Sequence, residues 1–169
     1  MNEELRVGPV GIEHAGELFT VQRAAYVSEA RRYGTVEIPP LNETLAEAEK
    51  EIADPNVLVL GAWFGTRLVG SVRGRVAGAL MEIARFAVAP DLQGRGVGRE
   101  LLAAIEAAVP AQVETLWLVT GSLSESNVRF YQRCGYHLAG SMIDPVGIEL
   151  LRMRKSRNGN TQNGIIQNR

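Results

Sequence analysis

The sequence has one cysteine, Cys134, two histidines, and no apolar run near membrane-spanning length. A lone cysteine excludes an internal disulfide and a cysteine-rich zinc site, so a metal-independent protein is expected. A spanning helix would need roughly 18–20 apolar residues in succession, and none is present. The first twenty residues carry Glu3, Glu4, Glu13 and Glu17 and no apolar core segment. No secretory leader is therefore expected, and the expected location is cytoplasmic. Lysine is missing between Lys50 and Lys155. That excludes a Walker phosphate loop from the middle of the chain, because such a loop ends in Gly-Lys-Ser/Thr. Acidic residues are missing after Glu149, where Arg152, Arg154, Lys155, Arg157 and Arg169 stand.

What is present is an ordinary globular composition: 169 residues, 46% apolar and 22% charged, enough for one domain with a sizeable core. We expect a domain over residues 1–155 and a polar, basic tail over 156–169. The tail has too little apolar surface to order itself, so it is expected to be mobile or docked, for instance on a second copy in a homodimer. The five basic residues of the last eighteen lie among Asn, Gln and Gly without aromatics, a solvated terminus rather than a nucleic-acid contact. The first 151 residues hold 19 acidic against 13 basic side chains, a balance that favours a cationic substrate.

Periodicity and turn residues give a coarse order of elements. Leu5 to Val10 reads as a strand, and 13–31 as a helix with Leu18, Val21, Gln22 and Ala25 on one face. Gly34 to Pro40 reads as a loop. A second helix starts at Asn42 as N-cap, carries Leu45, Ala48 and Ile52, and stops at Asp54-Pro55. Residues 57–63 and 67–73 around Gly65-Thr66 form a hairpin, and 80–88 a third strand of that group. An amphipathic helix over 97–109, a strand over 115–120, a helix over 125–134 and strands near 136–142 and 147–153 complete the order. This mixture predicts an α+β fold with a central mixed sheet of six or seven strands and four helices.

The stretch Ala89-Pro-Asp-Leu-Gln-Gly-Arg-Gly-Val-Gly-Arg99 between the third strand of that group and the following helix carries the chemistry. Gly94, Gly96 and Gly98 let the backbone turn tightly and bring its N–H groups near an anion. The helix behind them aims its N-terminal dipole at the same place. Arg95 and Arg99 add charge, and the combination suits a phosphate or pyrophosphate. A dinucleotide fingerprint does not fit, since from Gly94 its third glycine falls on Arg99.

In these residues the chain resembles the GNAT superfamily of N-acetyltransferases. The family motif Gln/Arg-x-x-Gly-x-Gly/Ala is met at every position of Gln93-Gly-Arg-Gly-Val-Gly98. Asn127-Val-Arg-Phe-Tyr-Gln-Arg-Cys-Gly-Tyr136 is similar to the family's asparagine–tyrosine helix and exit strand. The resemblance implies a GNAT-like fold and acetyl-coenzyme A as cosubstrate, with direct transfer to a primary amine of a small molecule or peptide. It assigns Phe86, Ala87 and Val88 to the pantetheine arm. Gln93, Gly94, Arg95, Gly96, Val97, Gly98 and Arg99 go to the phosphates, and Asn127 beside the thioester.

Amine attack on a thioester needs a base for an ammonium of pKa near ~10 and a proton for a leaving thiol of pKa near ~8.5. Tyr131, one helical turn after Asn127, matches the family tyrosine near the sulfur and is the expected acid; the other reading is a core aromatic. Glu82, two alternations before Phe86 and so on its face, resembles the base of some members. It reads equally as an exposed strand carboxylate or a partner of Arg85, and Glu37 is a further candidate. Cys134 reads as a small packed side chain. Two other classes stay open at this point: a non-catalytic coenzyme A or acyl-coenzyme A binding module, and an interaction protein using its tail. Within the enzyme class, a peptide N-terminal acetyltransferase is a further alternative.

Overall fold

The structure is a computed structural model that describes residues 3–157. Seven strands form one sheet in the order β1-β2-β3-β4-β5-β7-β6 among these residues. They are β1 (Leu5–Pro9), β2 (Val57–Phe64), β3 (Arg67–Ala77), β4 (Leu80–Val88), β5 (Thr115–Gly121), β6 (His137–Ile143) and β7 (Glu149–Ser156). All neighbours are antiparallel except β4 and β5. The expected mixed architecture is therefore observed.

Among the described residues five α-helices accompany the sheet: α1 (Ala15–Tyr33), α2 (Pro39–Asn42), α3 (Leu45–Ala53), α4 (Val97–Ala107) and α5 (Glu125–Arg133). The extra one, α2, is a single turn in the stretch expected to be loop and helix start. Pro39 fits its first position, where a missing N–H costs nothing. The N-cap of α3 is Thr44, not Asn42. Thr44 Oγ1 accepts the Glu47 N–H while the Glu47 carboxylate accepts the Thr44 N–H, a reciprocal cap that the spelling Thr-x-x-Glu announces. Asn42 instead donates to the carbonyls of Val36 and Ile38 and braces the turn before α2.

Helices cover both faces. On one, α4 buries Leu101, Leu102 and Ile105 against Met81, Ile83 and Val72. α5 adds Tyr131 to the same cluster. On the other, α1 and α3 set Leu18 and Ala48 against Val59, Trp63 and Leu68. A third cluster, Ala30, Ile38 and Ile148, joins the end of α1 to the β6–β7 turn. The boundary expected at residue 155 lies inside an element, because β7 runs to Ser156 and the Arg157 N–H donates to the Glu114 carbonyl. The tail expectation from residue 158 onward lies outside the described residues.

Candidate active site

Strands β4 and β5 pair only at their beginnings. Leu80, Met81 and Glu82 lie beside Thr115, Leu116 and Trp117, and there the parallel ladder stops. From Ile83 onward, the main-chain groups of β4 that face β5 have no strand partner. A cavity of about 1340 Å³ occupies the opening. Its other walls are α1, the 93–99 loop, α4, α5 and the β6–β7 turn.

On its opposite edge β4 stays paired to β3, with one residue too many. Ser71 lies opposite Ala87 and Arg73 opposite Ala84, so Arg85 and Phe86 together face Val72. Arg85 has φ +50, an uncommon conformation for a residue with a side chain. This bulge re-aims the strand beside the cavity. It also overturns the expectation that Glu82 and Phe86 share a face. Phe86 turns to the α4 side, where its ring stands 3.2 Å from the point a Cβ on Gly98 would occupy. Glu82 stays on the α1 side beside Arg75, with Nη1 3.6 Å from Oε2. Arg85 is not its partner, because Arg85 Nε reaches Glu43 at 3.4 Å.

The first part of the loop after β4 is anchored by two side chains. Arg67 holds Asp91 through two hydrogen bonds of 2.8 Å, and Gln93 Nε2 donates to the Val88 carbonyl at 3.3 Å. Gly94 (φ +74) and Gly96 (φ +86) take left-handed backbone angles. A Cβ on either would meet nothing within 4 Å, so these positions need glycine for its angles, not for room. Gly96 is the N-cap of α4 and offers no side chain to its N–H groups. An uncapped helix start beside an open cavity leaves N–H donors that suit an anion.

Of the residues expected at the cofactor, Phe86, Val88, Gln93, Gly94, Gly96, Gly98, Arg99 and Asn127 line the cavity. Ala87 and Val97 do not, since their side chains are in the core; any contact they make is through the main chain. Arg95 is exposed and stands outside the cavity lining.

On α5, Tyr131 is 8% exposed and packs edge-on against Phe86, Phe130 and Tyr136. Its hydroxyl makes no hydrogen bond to a described residue. Burial pushes the phenol far above its ordinary value, so it is a neutral donor at physiological pH. α5 is held by a chain of contacts behind it. Tyr136 donates to Glu106 (2.9 Å), and Lys155 Nζ bridges Glu106 and the Cys134 carbonyl, both at 2.8 Å. Burial raises the Cys134 thiol as well, which disfavours a nucleophilic thiolate.

The α1 wall is polar and was not foreseen in its connections. Gln22, expected on the apolar face, is fully buried and donates to Glu43 Oε2 (2.9 Å) and the Pro40 carbonyl (3.1 Å). Arg73, 1% exposed, grips both oxygens of Glu43 at 2.7 and 2.8 Å and also contacts Glu51 and Gln22. Burial pushes the Glu43 carboxyl up, but hydrogen bonding and charge from Arg73, then Gln22 and Arg85, prevail and hold it down at about 2. Further along α1, Glu29 accepts from Ser124 Oγ (2.8 Å) and pairs with Arg32. Tyr33 Oη accepts the Leu123 N–H at 3.0 Å, tying α1 to the β5–α5 loop. Tyr26 and Arg85 complete this side. Only the capping box has a local signal, which the reading of Asn42 as N-cap passed over; nothing local marks Gln22, Glu43 and Arg73 as partners across 21 to 51 positions.

Among the described residues no helix is long and apolar enough to cross a membrane, and no group of three or more His, Cys, Asp or Glu could hold a metal ion.

These features agree with known proteins. A family model, the Acetyltransferase (GNAT) domain, matches residues 29–157. The chain is 35% identical over 100 residues to an uncharacterized N-acetyltransferase of Bacillus subtilis (strain 168), YvbK. That match covers 56% of this chain and 64% of the relative, so the chain spans somewhat less than two thirds of it. The fold is shared with PaiA N-acetyltransferase from Thermoplasma acidophilum in complex with coenzyme A, at TM-score 0.74 and 17% identity, covering 90% of this chain and 99% of that one. It is shared also with the ribosomal-protein-S18-alanine N-acetyltransferase from Escherichia coli, at TM-score 0.76 and 15% identity, covering 95% and 98%. With three quarters of its length under the family model, the chain belongs to the GNAT family of acetyltransferases.

Proposed function

We propose that the protein transfers an acetyl group from acetyl-coenzyme A to a primary amine by direct attack in a ternary complex. The early end of the β4–β5 ladder carries this reading: it opens one strand edge onto a cavity that runs to the uncapped start of α4. The residues present fit the cosubstrate. Main-chain N–H groups from Gln93 to Arg99 suit its diphosphate. The free edge of β4 at Phe86–Val88 suits the amide groups of its arm, which would extend the sheet as a strand does.

In this reading the chain's own groups do four things. Main-chain donors on the free edge of β4 face the thioester oxygen and stabilise charge developing there, the largest contribution in acyl transfer generally. Asn127, on the cavity-lining side of α5, orients the thioester. Tyr131 keeps its proton in a dry setting until the thiolate leaves, and then donates it. Glu82 takes the proton of the incoming ammonium through water, its carboxylate steadied by Arg75. Direct attack is favoured over an acyl-cysteine route by the raised thiol of Cys134.

A coenzyme A release assay over a panel of primary amines tests the proposal. Release is expected for some members, with loss in Tyr131→Phe and in Glu82→Gln. Coenzyme A binding without release for any amine would replace the transferase with a binding module.

A further inference from the structure

Arg85 stands at the bulge of β4 with most of its hydrogen-bonding capacity unspent. Its Nε meets Glu43 Oε1 at 3.4 Å. That oxygen already accepts from Arg73 Nη1 at 2.7 Å, and the other accepts from Arg73 Nη2 at 2.8 Å and Gln22 at 2.9 Å. Glu43 is thus committed to Arg73, and Arg85 receives a residual contact. Neither Nη atom of Arg85 meets an acceptor among the described residues. The side chain is 19% exposed and lines the cavity, so the open end of the guanidinium faces the space between the walls.

Most carboxylates around that space are engaged elsewhere. Glu29 holds Arg32 and Ser124, Glu82 lies beside Arg75, and Glu106 takes Tyr136 and Lys155. Asp144 accepts the N–H groups of Val146 and Ile148 in its own turn. Glu37 is exposed at the mouth. A guanidinium is a planar fork of N–H donors, matched in shape by a carboxylate that accepts two parallel bonds. Keeping arginine at a left-handed backbone position also costs stability that glycine or asparagine would spare. Such an outlier beside a cavity points to a functional side chain.

We propose that Arg85 selects the acceptor: the amine that this enzyme acetylates carries a carboxylate, as an amino acid does, and both Nη atoms of Arg85 bind it. Tyr26, on the same side of the cavity as Arg85 and without a hydrogen-bond partner among the described residues, supplies a further donor to that carboxylate. The inference rests on the transferase reading above and names its substrate class. It refines the expectation of a cationic substrate, since an amino acid brings an ammonium and an anion together.

The test compares kcat/KM for amino acids with that for their carboxamides, over several chain lengths, in the wild type, Arg85→Gln and Arg85→Lys. Charge-assisted hydrogen bonds of this kind correspond to a preference of roughly 10- to 100-fold. The wild type is expected to favour the acids by about that factor. Arg85→Gln should bring the ratio close to one, and Arg85→Lys should leave it between. Simple carboxylates such as propionate should compete with the amine in the wild type, a measurement that needs no variant to fold. Equal use of acids and carboxamides by the wild type, or a ratio unchanged in Arg85→Gln, overturns the assignment while leaving the transferase intact. Coenzyme A binding without transfer to any amine in the set defeats both.

Discussion

On the α4 side of the sheet, the deeply buried side chains include Leu101, Leu102, Ile105 and Met81, all at 2% exposure or less. On the α1 side, the same depth is reached by Leu18, Ala48, Trp63 and Leu68, and together with them by Arg73 and Gln22, at 1% and 0%. In the proposed function the cofactor lies on the α4 side, whose wall is assembled by apolar burial with its polar contacts left to main-chain N–H groups. In the same reading the acceptor lies on the α1 side, where a network of charged and amide side chains drawn from α1, β3 and the segment before α3 is added to the apolar packing. A wall that must receive one unvarying diphosphate can be made from backbone. One that must choose among amines needs side chains, and buried charges fix their positions only while every partner is present.

The largest test of this contrast removes one partner. Glu43→Ala strips both oxygens from a fully buried Arg73 and should cost about 3–5 kcal/mol in urea unfolding, the penalty for breaking a buried pair. Leu101→Ala, on the apolar side, should cost about 2–5 kcal/mol by leaving a cavity. The two variants separate in their pH dependence. A carboxyl held at about 2 in the fold against an ordinary value of 4.5 contributes stability that is complete above 4.5 and lost as pH falls toward 2. Its size is roughly 3 kcal/mol from the 1.36 kcal/mol that each unit represents. Leu101→Ala should keep that acid slope and Glu43→Gln should lose much of it. A Glu43→Gln slope equal to the wild type would show that the acceptor wall does not depend on the ion network.

Next in size is Tyr131→Phe. Loss of a proton donor typically lowers turnover about 10²-fold or more. KM for acetyl-coenzyme A should change little, since the ring packing against Phe86 survives. A variant with wild-type kcat would return Tyr131 to the role of core aromatic. The smallest effect is expected from Gly96→Ala. There is room for the methyl, so the cost is that of the left-handed angle alone, about 1–2 kcal/mol. It should appear as weaker coenzyme A binding in calorimetry, with the acceptor KM little changed. A matching loss on both sides would mean that the two walls are not independent.

The same contrast explains what could be read beforehand. The sheet and α4 follow from local patterns, because the runs 57–63 and 67–73 around Gly65-Thr66, the strand 80–88 and the helical spacing of Leu101, Leu102 and Ile105 are local signals. The loop was readable because glycine is nearly the only residue at ease at +74 and +86. The bulge at Arg85 was not. It is a property of how β4 registers against β3, and one added residue moved Phe86 away from the face of Glu82. Gln22 looked like a polar intrusion in an apolar stripe. Its reason lies in Arg73, 51 positions onward, and no window on the chain contains both.

Hydrogen exchange of the protein with and without coenzyme A tests the central claim most directly. The account predicts strong slowing at the amides of residues 94–99 and along β4 from Phe86 to Val88, with little change in α3. Unchanged exchange across 94–99 at saturating ligand, or protection confined to another surface, would contradict it.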